Sequence, residues 1–272
     1  AIPTAEATYQ TFVERLPSLG LLVANWDCDA TRRIAAESGR RTIFVSATDE
    51  RADFLILHAQ TSTRGLQLSV RLPTRQVLEL QSPLCGNHHA INVATALAIA
   101  MEYGASIPSC VSSISSFEGI HRRFEVRTGE WGVSWIDDYA HHPTALQAVI
   151  DAARDRFPGR RVRCVFQPHQ VSRTRELAGD FAKALAAADD VLVLPVFGAR
   201  ESADRERIDL ASQLVRDVSD RGVTACFVAD LDHTRATLET HLRPGDVVLT
   251  VGAGDIDRIY HEFTGRLRRN YA

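Results

Sequence analysis

Trp135-Ile136-Asp137-Asp138-Tyr139-Ala140-His141-His142-Pro143-Thr144 places two carboxylates, a phenol and two imidazoles between positions 137 and 142. Gly132 to Ile136 reads as a strand. Pro143 reads as the start of a helix, since a proline in the first helical turn lacks only an N–H that would have no partner there. Side chains at such a junction gather at the carboxyl end of a sheet, the usual ligand crevice of open α/β folds. The stretch is therefore read as a set of titratable groups placed for binding or chemistry. The blander alternative is that Asp137 or Asp138 caps the helix and the histidines are solvated. A metal held by His141 and His142 together is disfavoured, because adjacent side chains diverge and zinc sites use wider spacings.

Working outward, apolar runs at Val162 to Phe166, Val191 to Val196, Thr224 to Val228 and Val247 to Val251 alternate with helical segments. Those segments are Thr144–Arg156, Arg175–Ala188, Ile208–Asp220, Asp232–His241 and a last one at Asp255–Arg269. Short continuous apolar strands between helices predict a parallel sheet covered on both faces. A hairpin is expected from Val126 and Val133 to Ile136. Upstream, strands are expected at Leu21–Asn25, Thr42–Val45, Phe54–His58, Gly65–Arg71 and Gln76–Leu80. Helices are expected near Ala7–Arg15, Ala30–Ser38, His89–Tyr103 and Pro108–Phe117. Leu66, Leu68 and Val70 alternate with polar neighbours, as a half-buried strand requires. The texture changes near Gly119–Arg123, which divides the chain into expected domains 1–120 and 121–272.

Composition narrows the class. The 272 residues are 45% hydrophobic and 24% charged, which suits a globular protein, and the net charge of −3 gives no nucleic-acid or membrane signal. No apolar run approaches the roughly 20 residues needed to span a bilayer, and no signal-peptide pattern opens the chain. The five cysteines (Cys28, Cys85, Cys110, Cys164, Cys226) are odd in number and widely spaced, so reduced cytoplasmic thiols are expected, with no zinc-site pair among them. The sequence starts at Ala1, at or inside an expected helix, and is read as a piece of something longer. Lys183 is the only lysine, inside Phe181–Leu185 and without flanking glycines, so no phosphate-cradling P-loop is present.

Four further motifs could carry chemistry. Gln167-Pro168-His169-Gln170-Val171-Ser172-Arg173-Thr174 follows a strand and brings a second imidazole and a cation to the same sheet end. Ser172 or Thr174 could cap the next helix. Arg173 suits a carboxylate or phosphate, which its planar fork can grip bidentately. Gly86-Asn87-His88-His89-Ala90-Ile91-Asn92 runs into a helix, and the Asn92 amide could pair with an adenine edge or act as a cap. Arg122-Arg123 is a solvated pair or a source of one phosphate contact. Gly252-Ala253-Gly254-Asp255 resembles the first part of a dinucleotide fingerprint, but a tight strand-to-helix turn is the better reading.

Taken together, Gly86-x-His88-x-x-x-Asn92, Phe117-x-Gly119-x-x-Arg122-Arg123-Phe124-Glu125, Asp137-Asp138-Tyr139-Ala140-His141-His142-Pro143-Thr144, Phe166-Gln167-Pro168-His169-x-x-Ser172-Arg173-Thr174 and Gly252-Ala253-Gly254-Asp255-Ile256 resemble the Mur ligases of peptidoglycan synthesis. The resemblance covers the whole chain and is most specific in the 137–144 and 167–169 blocks. It implies an α/β fold: the latter half of a central ATPase domain, a mixed sheet with helices, followed by a Rossmann-like, mostly parallel C-terminal domain. The UDP-sugar domain, P-loop and acidic Mg2+ ligands of the family would lie upstream of Ala1. The implied reaction is ATP-dependent joining of L-alanine to UDP-N-acetylmuramate through an acyl-phosphate, in the cytoplasm. Such chemistry depends on positioning and charge neutralisation.

By motif, the resemblance implies that His88 and Asn92 face the adenine of ATP and that Asp138 binds the ribose or orients the nucleotide. Arg123 would approach the phosphates when the domains close. Tyr139, His141, His169 and Arg173 would form the pocket for the amino acid and the acyl group, with Asp138, His141 and Arg123 closest to the chemistry and no metal ligand in this stretch of chain. The sequence departs from the family pattern at His89, where Asn is usual, and at Gln170-Val171, where Arg-Tyr is usual. The second departure removes a cation that would help hold a carboxylate. The implied fragment would be inactive alone. The alternatives are a non-catalytic nucleotide or amino-acid binding module, the family branch that recycles a tripeptide, and a His/Asp metal hydrolase, against which the spacing speaks.

Overall fold

Leu66, Leu68 and Val70 are buried along one strand in the computed structural model, which describes residues 4–198 and 204–265, so the alternating pattern marks a core-facing surface. That strand belongs to the first of two units, Ala1–Glu118 and Gly119–Ala272.

The first unit runs α1 (Ala5–Glu14), β1 (Leu21–Asn25), α2 (Asp29–Ser38), β2 (Arg41–Ser46), β3 (Phe54–Ser62), β4 (Gly65–Arg71), β5 (Val77–Ser82), α3 (His89–Glu102) and α4 (Ile107–Ser116). Its sheet has the order β1-β2-β3-β4-β5. The pairs β1–β2 and β2–β3 are parallel, and β3–β4 and β4–β5 are antiparallel. Ala94 and Leu97 of α3 pack with Leu66, Leu68 and Val70 in one apolar cluster.

The second unit runs β6 (Glu125–Thr128), β7 (Ser134–Asp138), α5 (Pro143–Arg156), β8 (Val162–Phe166), α6 (Val171–Glu176), α7 (Ala178–Leu185), β9 (Asp190–Val193), α8 (Asp204–Ser219), β10 (Thr224–Phe227), α9 (Leu231–His241), β11 (Val247–Val251) and α10 (Asp257–Phe263). The strand order is β10-β9-β8-β11-β7-β6. Every pair is parallel except β6–β7, which is the expected hairpin. The last strand, β11, lies between β7 and β8, with Val251 opposite both Asp138 and Phe166. The carboxyl ends of these three central strands are therefore level, which is where open α/β sheets bind ligands. Trp135 is buried beneath them and stacks on Phe263 at 4.6 Å between ring centroids. No helix among the described residues is long and apolar enough to cross a membrane.

Several elements depart from the sequence reading. The strand expected to stop at Ile136 continues through Asp138, because β11 keeps pairing with it and Gly252 N–H donates to the Asp138 carbonyl at 3.1 Å. The helix at Pro143 is not capped by an aspartate. His142 Nδ1 takes the cap, accepting from Thr144 N–H at 3.4 Å. The helix expected over Arg175–Ala188 is two helices that meet at Leu177, and the first begins at Val171. Neither Ser172 nor Thr174 caps it, since both lie inside α6, where the Thr174 hydroxyl donates back to the Gln170 carbonyl at 2.8 Å. The last helix begins at Asp257, and its C-terminal side reaches Gly265 at φ 77, the left-handed conformation that ends helices. Residues 266–269 of the expected helix lie outside the described residues.

The Gly252–Asp255 segment is a close-packed strand-to-helix turn. Gly252 sits at φ 152, and a Cβ there would stand 2.6 Å from the Gln167 carbonyl oxygen. Gly252→Ala is expected to cost at least about 2 kcal/mol in urea unfolding, through backbone strain plus overpacking. Gly179→Ala makes the contrast. It lies on α7 with nothing within 4 Å of the added methyl, so it should be neutral or stabilise by up to about 1 kcal/mol.

Candidate active site

At the carboxyl end of β7, β8 and β11, Arg122 is the hub. Its Nη1 and Nη2 donate to the carbonyls of Gly254 and Gly252 at 3.0 and 2.7 Å. Its Nε lies 3.3 Å from Asp137 Oδ2, and Nη1 lies 3.7 Å from Asp257 Oδ1. Asp137 is fully buried, and its Oδ1 accepts from the Thr250 hydroxyl at 2.7 Å. Burial pushes the Asp137 carboxyl up to about 6, while the Thr250 hydrogen bond and the Arg122 charge pull the other way.

Asp138 points to the opposite face of the strand. Its Oδ2 accepts from Phe124 N–H at 2.8 Å and its Oδ1 from Ala140 N–H at 2.7 Å. Burial raises its carboxyl, and the two N–H donors partly offset that. The sequence reading gave Asp138 direct contact with a nucleotide and a share in catalysis. The structure places this carboxylate in the interior, with one oxygen on Phe124 N–H and the other on Ala140 N–H. It acts as a positioning group that shapes the 122–124 segment and the turn after β7. Arg122 and Phe124 have φ of 58 and 52, in the left-handed region that side chains disfavour. The Asp138–Phe124 bond and a hydrogen bond from Tyr139 N–H to the Arg122 carbonyl at 2.9 Å hold them there.

Four of the candidate side chains come together in a continuous series. The guanidinium of exposed Arg123 lies over the Tyr139 ring at 5.6 Å, and that of Arg122 at 5.0 Å. Tyr139 meets His141 edge-on at 5.6 Å, and His141 meets His169 at 6.3 Å. His169 stacks on Phe197 at 5.8 Å. His141 Nδ1 lies 2.9 Å from the Tyr139 carbonyl. A carbonyl only accepts, so Nδ1 carries the proton and Nε2 the lone pair. Arg173 lies in the first turn of α6, just beyond His169, and its Nη1 is buried without a hydrogen-bond partner among the described residues.

In the first unit, Asn87 fixes the motif that opens α3. Its Oδ1 accepts from Thr61 N–H at 3.0 Å, and Gly86, at φ 105, donates its N–H to the Thr61 hydroxyl at 2.9 Å. The rings of His88 and His89 lie 4.2 Å apart, and Asn92 Nδ2 is 3.5 Å from His89 Nδ1. Exposed Asn92 stands on the wall of a cavity of about 340 Å³ lined mainly by apolar residues, including Leu97 of α3, Ile114 of α4 and Phe117 just after it. That size and lining suit a flat heteroaromatic ring.

Sequence reasoning assigned no role to Thr250, Gln167, Phe197 or Asp257. Gln167 Nε2 donates to Asp255 at 2.9 Å and ties β8 to the glycine turn. Nothing local distinguishes Arg122 from Arg123. Only the fold shows that the first is structural and the second exposed.

A model of the Mur ligase middle domain matches residues 5–100, and a model of the Mur ligase glutamate ligase domain matches residues 122–254. The chain is 40% identical over 265 residues to the UDP-N-acetylmuramate–L-alanine ligase of Kineococcus radiotolerans, covering 94% of this chain and 55% of that protein. The chain spans about half the length of the curated relatives it matches. Among solved structures, the UDP-N-acetylmuramate–alanine ligase of Thermotoga maritima matches with a TM-score of 0.75 at 23% identity, over 95% of this chain and 61% of that one. A MurF ligase of the same organism in complex with ADP matches with a TM-score of 0.69 at 20% identity, over 97% of this chain and 57% of that one. At these identities the structural matches show a shared fold.

The raised Asp137 carboxyl has a pH consequence. Between its ordinary value of 3.8 and about 6, the folded chain holds a proton that the unfolded chain has released. Stability from this group is thus fully present below pH 3.8 and is lost as pH rises through about 6, by up to about 3 kcal/mol. Asp137→Asn should flatten the fall in unfolding free energy measured between pH 4 and 6. A residual slope of the same sign should remain from Asp138.

Proposed function

The chain belongs to the Mur ligase family, and from that premise we propose that it forms the middle and C-terminal part of a ligase that joins L-alanine to UDP-N-acetylmuramate at the expense of ATP. The observation that carries this reading is the side-chain series Arg123–Tyr139–His141–His169 at the carboxyl end of the central strands, with Arg173 beyond it presenting a buried Nη1 that has no partner among the described residues. A built cationic donor beside two imidazoles and a phenol suits an amino acid whose carboxylate must be held while its amine is left free to attack.

On this reading Arg173 binds the amino-acid carboxylate, and His169 and Tyr139 shape the pocket around it. His141 offers Nε2 as the proton acceptor for the attacking ammonium, its ring fixed by the Nδ1 bond to the Tyr139 carbonyl. Arg123, exposed at the pocket edge, neutralises phosphoryl charge, which is the main task in such transfers. Asp138 positions Arg123 and Tyr139 from beneath. In the first unit, Asn92 pairs with the adenine edge above the apolar cavity, and His88 stands beside it. ATP with Mg2+ supplies the phosphoryl group that activates the lactyl carboxylate. The residues here fit the anionic and adenine ends of that requirement, in Arg173, Arg123 and Asn92. On this reading the phosphate-cradling loop and acidic Mg2+ ligands that the family resemblance implies would be supplied from outside this chain. The reaction is cytoplasmic on this reading, and the chain alone does not turn over.

Two assays test the proposal. The isolated chain should show no ATP-dependent ligation, and the chain supplied with the remaining portion of a full-length relative should ligate L-alanine in preference to a tripeptide. Robust turnover by the isolated chain, or preference for the tripeptide, would overturn the assignment. In the joined protein, Arg173→Ala should raise the KM for alanine roughly 10- to 100-fold, the worth of a charge-assisted hydrogen bond, with a smaller effect on kcat.

A further inference from the structure

The function proposed above leaves His121 and His261 without a role. His121 lies just before Arg122, and His261 lies on α10, one helical turn after Asp257. We propose that His121, Asp257 and His261 form a binding site for a single Zn2+ ion that clips the 121–125 segment to α10.

Asp257 and His261 share one face of α10 by their i, i+4 spacing, and Asp257 Oδ2 stands 3.8 Å from His261 Nε2. The His121 ring stacks on the His261 ring with centroids 5.5 Å apart and planes at 23°. One donor atom from each of the three residues lies within 4.8 Å of the others. Tetrahedral Zn2+ holds its ligands at about 2.0–2.2 Å, which puts them about 3.4 Å from one another. The Asp257–His261 pair is thus close to the required separation already. His121, whose side chain is 51% exposed, has room to make the remaining adjustment and leaves a fourth position open to water.

The surroundings fit a metal site as well as the donors do. Metal-bound histidines and carboxylates are oriented by partners on their far side. Glu125 contacts His121 Nδ1, which favours the tautomer with its lone pair on Nε2. Arg122 Nη1 approaches Asp257 Oδ1 at 3.7 Å, from the side away from His261. Two imidazoles with one carboxylate favour Zn2+ over Mg2+, which prefers oxygen donors. The ion is therefore distinct from the Mg2+ of the ligase reading, and the inference does not depend on that reading. Its effect would be to hold in place the segment that carries Arg122 and Arg123.

Titration of the whole chain with ZnCl2 by calorimetry, and its melting temperature with and without EDTA, test the site without any activity assay. The expected result is one saturable Zn2+ per chain and a rise in Tm that EDTA reverses. Mg2+ should produce neither. His121→Ala and His261→Ala should each weaken binding at least about 100-fold, and Glu125→Gln about 10-fold. His58→Ala and Cys226→Ser, both exposed and elsewhere, should leave it unchanged. His121 is half exposed, so its variant should give the metal-free circular dichroism spectrum of the parent. That variant decides the matter if His261→Ala does not fold. Absence of saturable Zn2+ binding, or binding unchanged in His121→Ala, would overturn the proposal.

Discussion

The carboxyl end of the second sheet depends on one guanidinium. Where β11 stops, the carbonyls of Gly252 and Gly254 turn away from any strand partner, and Arg122 supplies their donors. The same group meets the buried carboxylate of Asp137 and, at longer range, that of Asp257. A buried charge is tolerable only when it is paired and its donors are used. Arg122 is paired with Asp137 at 3.3 Å, and two glycines let the chain pass close enough for Nη1 and Nη2 to grip its carbonyls, while Nε makes no hydrogen bond among the described residues. A side chain at Gly252 or Gly254 would strike Gln167, and at Gly254 also the Phe197 ring. The glycine turn, the cation and the buried acid are therefore one device, and removing any of them leaves the other two unsatisfied.

That device fixes the site by the geometry of a strand. Successive side chains on β7 point to opposite faces, so adjacent aspartates cannot share a task. Asp137 faces Thr250 and Arg122. Asp138 faces the amides of Phe124 and Ala140. The first secures the turn after β11, and the second secures the segments before and after β7. Tyr139 and His141 then emerge from a junction held on both sides, with Arg123 beside them at the surface. The polar groups that look most reactive in the sequence are the ones that hold the frame, and the rings that follow them are the ones presented outward.

Periodicity made most of the architecture legible, because apolar alternation and apolar runs report directly on which faces are buried. The hairpin before β7, the parallel strands and the glycine turn were all readable in this way. What escaped depended on long-range partners. Arg163 sits within an apparently apolar strand, buried with its Nε 2.8 Å from Asp190 on β9, and no local pattern marks a charge whose partner is 27 positions away. The strand end at Asp138 was missed because β11, more than a hundred residues later, extends the ladder. Arg122 and Arg123 are neighbours with opposite fates, decided by which one meets the glycine carbonyls. The kink at Leu177 follows from packing: α7 turns to bury Phe181 and Leu185.

The departure at Gln170-Val171 takes on a specific meaning in this frame. Gln170 lies at φ 69 and donates its N–H to the Phe197 carbonyl at 3.0 Å, while Phe197 N–H donates to Pro168 at 2.7 Å. Val171 is buried. The backbone of this turn is thus held by its pairing with Phe197 and does not need a cation at 170 to keep its shape. What the departure changes is the charge at this position. One turn later α6 presents Arg173, whose buried Nη1 has no partner among the described residues. Leaving such a donor unmatched costs about 1–3 kcal/mol or more, a cost that an incoming carboxylate removes. On the ligase reading proposed above, with no cation at 170, Arg173 is the group that would take the amino-acid carboxylate at this sheet end.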